Sequence, residues 1–201
     1  PNFNVFVDDT IVCDSATVEL VLTDFLGDIE GISVYDLTTT STGNILGIQS
    51  DGVYEMTENV VDQLVNTSNT VQTVTYNFNA QIRDDRSGNN FGFCEHGIDT
   101  SITIHVNPTP RFTASILDTI VCDSSEINID LESQLIDVLG NEVYDLTVDY
   151  DPAVIDGSYI TPDGEYDLGP IDINDSLINL TNEVQTVSYH FRVRINDTRG
   201  G

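Results

Sequence analysis

Three cysteines, three histidines and 34 acidic side chains are the groups in this 201-residue chain whose chemistry reaches beyond packing. The cysteines stand far apart. Cys13 closes a short aliphatic run, Cys122 closes a near-identical run, and Cys94 lies within Gly92-Phe93-Cys94-Glu95-His96-Gly97. No two of them have the close spacing of a zinc site. His105 and His190 read as outward-facing strand residues and His96 as a loop residue, so the histidines complete no metal set. Asp149, Asp151 and Asp156 put hard oxygen ligands close together and are the candidates for calcium, the one metal or cofactor in view. Their spacing lacks the Asp-x-Asp-x-Asp-Gly order of a helix-loop-helix calcium loop, and the alternative is a set of solvated turns. No Gly-x-Ser-x-Gly, His-Glu-x-x-His or phosphate-binding glycine loop occurs. Carboxylate pairs are so frequent that none singles out a glycosidase centre. The expectation is a protein that is not an enzyme.

The acids face only six basic residues, all arginine, for a net charge of −28. Binding nucleic acid or an anionic membrane needs a basic footprint that releases counterions, so both partners are excluded. The charge is spread evenly. Residues 1–109 hold 16 acids and 2 arginines, residues 110–201 hold 18 and 4, and each part is therefore −14. Arg83, Arg86, Arg192, Arg194 and Arg199 occupy equivalent places and are expected to pair with the adjacent Asp84, Asp85 and Asp197. No signal peptide and no apolar run of membrane-spanning length is present, and the chain reads as an excised piece.

The elements that must position these groups are written twice. Asp9-Thr10-Ile11-Val12-Cys13-Asp14-Ser15 returns at 118–124, and Val34-Tyr35-Asp36-Leu37-Thr38 at 143–147, both 109 residues on. Val71-Gln72-Thr73-Val74 returns at 184–187, now 113 on, which implies a four-residue insertion around Tyr150 to Asp163. A fixed offset of this length marks tandem modules. The modules are 1–107 and 108–201, joined by a short, semi-stiff linker around 107–110 (Asn-Pro-Thr-Pro). The second copy stops at the residue equivalent to Gly88, which predicts a truncated module with an open sheet edge.

Alternation identifies the elements as strands. Val74, Tyr76, Phe78, Ala80 and Ile82 point one way with polar residues between, and Val187, Tyr189, Phe191, Val193 and Ile195 repeat the pattern as an inward face. Further strands are predicted at 3–7, 10–13, 17–22, 32–38, 45–48, 52–56 and 101–106. Residues 58–65 place Val61, Leu64 and Val65 at helical spacing, yet their counterpart at 171–180 alternates; the segment is read as a turn and a strand. Seven or more short strands per ~100 residues predict an all-β chain of two tandem immunoglobulin-like (PKD-like) Greek-key β-sandwiches. In that frame one disulfide per module, Cys13 to Cys94, explains the odd count and leaves Cys122 unpaired by truncation; the alternative is three separate buried thiols. Asn-x-Ser/Thr triplets at Asn66, Asn174, Asn179 and Asn196 are expected by chance in so Asn- and Thr-rich a chain.

The strings Asp-Thr-Ile-Val-Cys-Asp-Ser, Val-Tyr-Asp-Leu-Thr, Val-Gln-Thr-Val-Thr-Tyr and Val-Asn-Pro-Thr-Pro resemble the PKD-like repeats of giant surface adhesins from gliding Bacteroidota. The resemblance covers the whole chain. It implies an extracellular, cell-surface protein exported by type IX secretion. Its repeats would form the stalk of an adhesin used for attachment and gliding motility. The partners implied are extracellular polysaccharide or an abiotic surface, reached through the parent adhesin, with neighbouring repeats and the gliding machinery. Asp14-Ser15-Ala16 and Asp175-Ser176-Leu177 resemble the O-glycosylation signal of that phylum. Two acidic insertions, 24–30 and 150–156, depart from a plain repeat and are either adhesive loops or mere decoration. The alternative function is a carbohydrate-binding accessory region of a secreted polysaccharide-degrading protein. The absence of Trp and the inward assignment of most Tyr and Phe argue against it.

Overall fold

The structure, a computed structural model, describes residues 3–25, 27, 29, 31–83, 93–94, 97, 99–169 and 172–196, with the backbone alone for Phe93, Cys94 and Asp172. Arg86, Asp84, Asp85, His96, Asp197 and Arg199 lie outside the described residues. The chain divides into two compact units, Pro1–Thr109 and Pro110–Gly201. The segment expected to be a linker closes unit 1 instead. Asn107 is buried and its N–H donates to Val12 O at 2.8 Å, and the Thr109 hydroxyl donates to the Asp14 carboxylate.

Unit 1 contains β1 (Phe3–Phe6), β2 (Ile11–Val12), β3 (Ala16–Asp24), β4 (Ile32–Ser41), β5 (Ile45–Leu46), β6 (Gly52–Glu55), β7 (Val60–Asn66), β8 (Gln72–Arg83), β9 (Phe93–Cys94) and β10 (Asp99–Val106). One sheet runs β1-β3-β7-β5; the other runs β2-β10-β8-β4-β6, with β9 also on β8. All pairings are antiparallel except β2 with β10, which is parallel. This is an immunoglobulin-like sandwich. Each strand gives alternate residues to the core: Tyr35, Leu37, Val74, Tyr76, Phe78 and Ile104 meet Leu20, Val60 and Leu64 from the facing sheet, all at most 1% exposed.

Unit 2 contains β11 (Phe112–Ile116), β12 (Ser125–Ser133), β13 (Asn141–Asp149), β14 (Ile155–Asp156), a 3-10 turn at Gly157–Tyr159, β15 (Gly164–Asp167), β16 (Asp172–Asn179) and β17 (Ser188–Asn196). Its sheets run β11-β12-β16-β14 and β15-β13-β17. The repeat extends to ring geometry. Tyr35 stacks on Tyr54 at 5.6 Å as Tyr144 stacks on Tyr166 at 5.5 Å, and Phe78 and Phe191 lie against these tyrosines at 5.6 and 5.8 Å. Gly31 and Gly140, 109 apart, both need their missing side chain. Their φ values are +119° and +129°, and a Cβ would meet Arg83 O at 2.6 Å or Asn196 O at 2.3 Å.

Two expectations change in detail. The inserted residues are not one block: Asp51-Gly52 and Asp163-Gly164 are 112 apart, so three lie between Tyr150 and Asp163 and the fourth follows Tyr166. Val187, Tyr189, Phe191, Val193 and Ile195 do face inward but are only part-buried, unlike Val74, Tyr76, Phe78 and Ala80. The physical reason is the lack of a β10 counterpart among the described residues of unit 2.

Candidate functional site: the polar sheet face and the acidic turns

The repeated Asp-Thr-Ile-Val-Cys-Asp-Ser string forms a turn. Ser15 and Ser124 adopt left-handed φ of 64° and 63°, and the next N–H returns to the cysteine carbonyl in each copy (Ala16 to Cys13, 3.2 Å; Ser125 to Cys122, 3.1 Å). The preceding aspartate then accepts from the end of the facing strand: Asp14 Oδ1 from Asn66 N and Asp123 Oδ1 from Asn179 N, both 2.7 Å. The motif is thus a structural staple. Its cysteines point away from the core, and Cys13 and Cys122 are free, exposed thiols.

The expected Cys13–Cys94 disulfide is therefore corrected. Cys13 follows Val12, which pairs with Val106, which in turn pairs with Gln72; Cys94 pairs with Ile82. Ten residues of β8 separate the two levels, roughly 33 Å at strand rise, whereas a disulfide needs Cα atoms within about 7 Å. The side chain of Cys94 lies outside the described residues. Cys122 is likewise a free, exposed thiol.

The structure does not bring the calcium candidates together. Asp151 Oδ1 accepts the N–H of Ala153 at 2.8 Å, and Asp156 Oδ1 accepts the N–H and hydroxyl of Ser158 at 2.9 and 2.6 Å. The Ser158 hydroxyl and N–H hold the Asp156 carboxyl below its ordinary range. Asp149 is exposed at the end of β13. Asp151 and Asp156 each serve their own turn, and among the described residues no cluster of three or more His, Cys, Asp or Glu has metal-binding geometry. Arg194 pairs with Asp145 and Glu165 across the sheet, while Asp84, Asp85 and Asp197 lie outside the described residues.

Sequence reading missed a buried polar pair present in both units. Tyr76 OH donates to Asp62 Oδ2 at 2.6 Å, and Tyr189 OH donates to Asp175 Oδ2 at 2.6 Å. Asp62 also accepts Gln49 N–H, and Asp175 accepts the N–H and hydroxyl of Thr161, so each carboxylate ties a loop to the core. Burial first, then the hydrogen bond and charge of the aspartate, push both tyrosine hydroxyls up. The 113-residue offset shared by both pairs was the available signal; a lone Asp inside an apolar strand hid it. Asn66 and Asn179 are committed in the same way. Asn66 Nδ2 donates to Thr70 O and Val106 O, and Asn179 Nδ2 to Glu183 O, so these two Asn-x-Ser/Thr sites are turn caps rather than open acceptors.

What remains outward is a grid of short polar side chains on β4, β8 and β10. The registers set Asp36, Asn79 and Asp99 in one row, Thr38, Asn77 and Ser101 in the next, and Thr40, Thr75 and Thr103 in a third. Asn79 Nδ2 donates to Asp99 Oδ1 at 2.5 Å and the hydroxyls of Thr75 and Thr103 lie 2.9 Å apart. The upper rows line an open depression of about 370 Å³. Donors and acceptors at strand spacing can meet hydroxyl-rich polymers, but no aromatic ring stands in these rows to stack on a sugar. The equivalent face of unit 2 is charged, with Asp145, Arg192 and Arg194 in place of Asp36, Asn79 and Gln81.

No family model and no curated protein matches this chain. Among solved structures, it is similar to the calcium-binding domain CBD12 of CALX1.1 (12% identity, 94% of this chain and 79% of that one, TM-score 0.32). It is likewise similar to a chaperone–tip adhesin complex of CFA/I fimbriae (8%, 100% and 94%, TM-score 0.34) and to the type II cohesin dyad of the ScaA scaffoldin of Acetivibrio cellulolyticus (8%, 98% and 88%, TM-score 0.30). At TM-scores this low the likenesses carry no functional argument, and the chain stands as an all-β pair of immunoglobulin-like sandwich units.

Proposed function

We propose that the two units are spacer modules in the stalk of a secreted cell-surface adhesin of the PKD-like kind, serving attachment and gliding, and that they catalyse nothing. The observation that carries the reading is how the chain threads unit 1. Phe3 pairs with Asp24 at one pole of the sandwich, while Val106 pairs with Val12 and Gln72 at the other. A pull on the two ends of the unit therefore runs along the strands. β2 and β10 are parallel neighbours joined by His105 N–H to Thr10 O (2.7 Å) and Asn107 N–H to Val12 O (2.8 Å), and opposite loads shear these bonds together instead of opening them one by one. Such threading suits a module loaded in series.

The acidic surface keeps neighbouring modules of a long chain from adhering to each other. The repeat motifs build turns and core pairs, which is the division of labour expected of a spacer. Among the described residues no helix is long and apolar enough to cross a membrane. Contact with polysaccharide or an abiotic surface belongs in this reading to the parent adhesin, and the polar grid of unit 1 adds at most weak multivalent contacts. That grid also favours the second reading, a carbohydrate-binding accessory module.

Stretching the 201-residue chain by its ends, with a glycan array run on the same protein, separates the two. A spacer gives a distinct high-force unfolding event for unit 1 and no glycan preference. Unfolding at the low force of a peeled hairpin, or a saturable preference for one glycan class, overturns it.

A further inference from the structure

The outer face of the β1-β3-β7-β5 sheet in unit 1 departs from the chemistry of the rest of the chain. Leu20, Leu22, Val60 and Leu64 turn to the core, so the residues between them face outward. Three of the outward side chains are large, apolar and open to solvent: Phe6 is 61% exposed, Leu46 60% and Val61 56%. The registers join them into one stripe. Phe6 lies opposite Val21, Val21 is the diagonal neighbour of Val61, and β7 leads past Gln63 to Val65, which lies opposite Leu46. Of the ten outward positions on these four strands only Glu19 is acidic, in a chain with 34 acids, and the Asn59 amide donates to its carboxylate at 2.8 Å.

Unit 2 shows that the fold does not require this stripe. It repeats the same four strands in equivalent registers, and the places of Phe6, Val21, Val61 and Leu46 are taken by Ser115, Asp130, Asn174 and Asp156. Its ten equivalent positions hold four acids, namely Glu126, Asp130, Glu132 and Asp156. An apolar patch present in one copy and absent from the other marks an interaction surface and not a condition of folding.

The charge pattern selects the partner. Acids around the stripe would draw a basic partner, and a face built for one would keep them. Here the acids are missing instead, which lowers repulsion against a like-charged partner, and the like-charged polypeptide at hand is this chain, at −28. We propose that the outer β1-β3-β7-β5 face of unit 1 is a homophilic contact, packing on the same face of a second copy about a two-fold axis, apolar stripe against apolar stripe. Such a pair uses one self-complementary patch. Four strands span roughly 15–20 Å, so each partner buries less than the ~800 Å² of a standard interface and the contact is weak and reversible. The acidic remainder of the surface holds chains apart and confines their contact to this face. The inference goes beyond the spacer reading and does not depend on it.

Sedimentation velocity on the 201-residue chain, from about 10 μM to about 1 mM and at about 0.05 and 1 M NaCl, tests it. The expected result is a reversible monomer–dimer equilibrium that strengthens with salt, because screening removes like-charge repulsion and leaves apolar burial. Amide chemical-shift changes on dimerisation fall on β1, β3, β5 and β7. Phe6→Ser combined with Val21→Asp and Val61→Asn, the side chains unit 2 carries at these places, leaves a folded monomer, as a urea titration of the same variant checks. Glu19→Gln dimerises about two- to fivefold more tightly. A chain that is monomeric throughout overturns the proposal, as does dimerisation that is unaltered in the triple variant, weakened by salt or mapped to other strands. Retention of a monomeric chain on a phenyl-bearing resin through this face assigns the stripe to a different apolar partner and overturns it as well.

Discussion

His105→Pro tests the shear reading of unit 1 at a single main-chain bond. The His105 N–H goes to Thr10 O on β2, while the residues on either side of it bond to β8, so proline removes one bond of the parallel patch and leaves the β8–β10 ladder in place. Both acceptor and donor lie near solvent, so the equilibrium loss is that of one ordinary backbone bond, about 0.5–1.5 kcal/mol in a urea titration. Under load the same bond lies on the path to rupture, and losing about 1 kcal/mol from the barrier shortens the lifetime of unit 1 at fixed force about fivefold. Ile45→Val is the matched control. It trims a buried side chain of β5, an edge strand of the other sheet that pairs with β7, and costs about 0.5–1.5 kcal/mol. The assay is force-clamp spectroscopy on each variant beside its urea midpoint. The reasoning predicts equal equilibrium losses and a lifetime effect for His105→Pro alone; equal lifetimes in the two variants refute it.

Other outcomes follow from the same geometry. Tyr76→Phe leaves the buried Asp62 short of a donor and costs about 1–3 kcal/mol, read from urea midpoints, and Tyr189→Phe does the same to unit 2. Burial pushes the Tyr35 hydroxyl up to about 12, with Glu58 and Tyr54 adding to it, and Tyr76, Tyr144 and Tyr189 are also raised. Above about pH 10 the unfolded chain loses these protons first, so stability is complete below that pH and falls from there up to about pH 12 for Tyr35; Tyr35→Phe removes its share of the slope. Cys13 and Cys122 react with a thiol reagent in the native protein, and a Cys13–Cys94 bridge found by peptide mapping contradicts the strand registers. Gly31→Ala and Gly140→Ala each destabilise by more than about 1 kcal/mol on differential scanning calorimetry, because positive φ and a backbone oxygen leave no room for Cβ.

Much of the fold was legible because its signals are local. Alternation in β8 and β17 marked strands and faces, and the repeat showed one sandwich written twice. The helical spacing in residues 58–65 misleads for a reason visible in β7: Val61 points to solvent, and the core position is Asp62, whose charge conceals the period-2 pattern until Tyr76 is seen to bind it. The disulfide is not formed because cysteine arithmetic counts residues and ignores levels in a sheet; ten residues along β8 carry a cysteine's partner from one pole to the other. Asp151 and Asp156 answer the nearest N–H groups, so proximity in sequence produced turn caps and not a converging set of acids.

The sequence by itself settled what depends on short-range chemistry: an acidic, all-β chain, its doubled module, the inward face of each long strand and the absence of a basic footprint. Tertiary structure alone decided what depends on strand order and register. It set Cys13 and Cys94 at opposite poles, joined Tyr76 to Asp62 and Tyr189 to Asp175, and placed β2 beside β10 in parallel. The reason is physical: alternation tells each side chain which face to take, but which strand lies beside it is set by long-range pairing that no local window records.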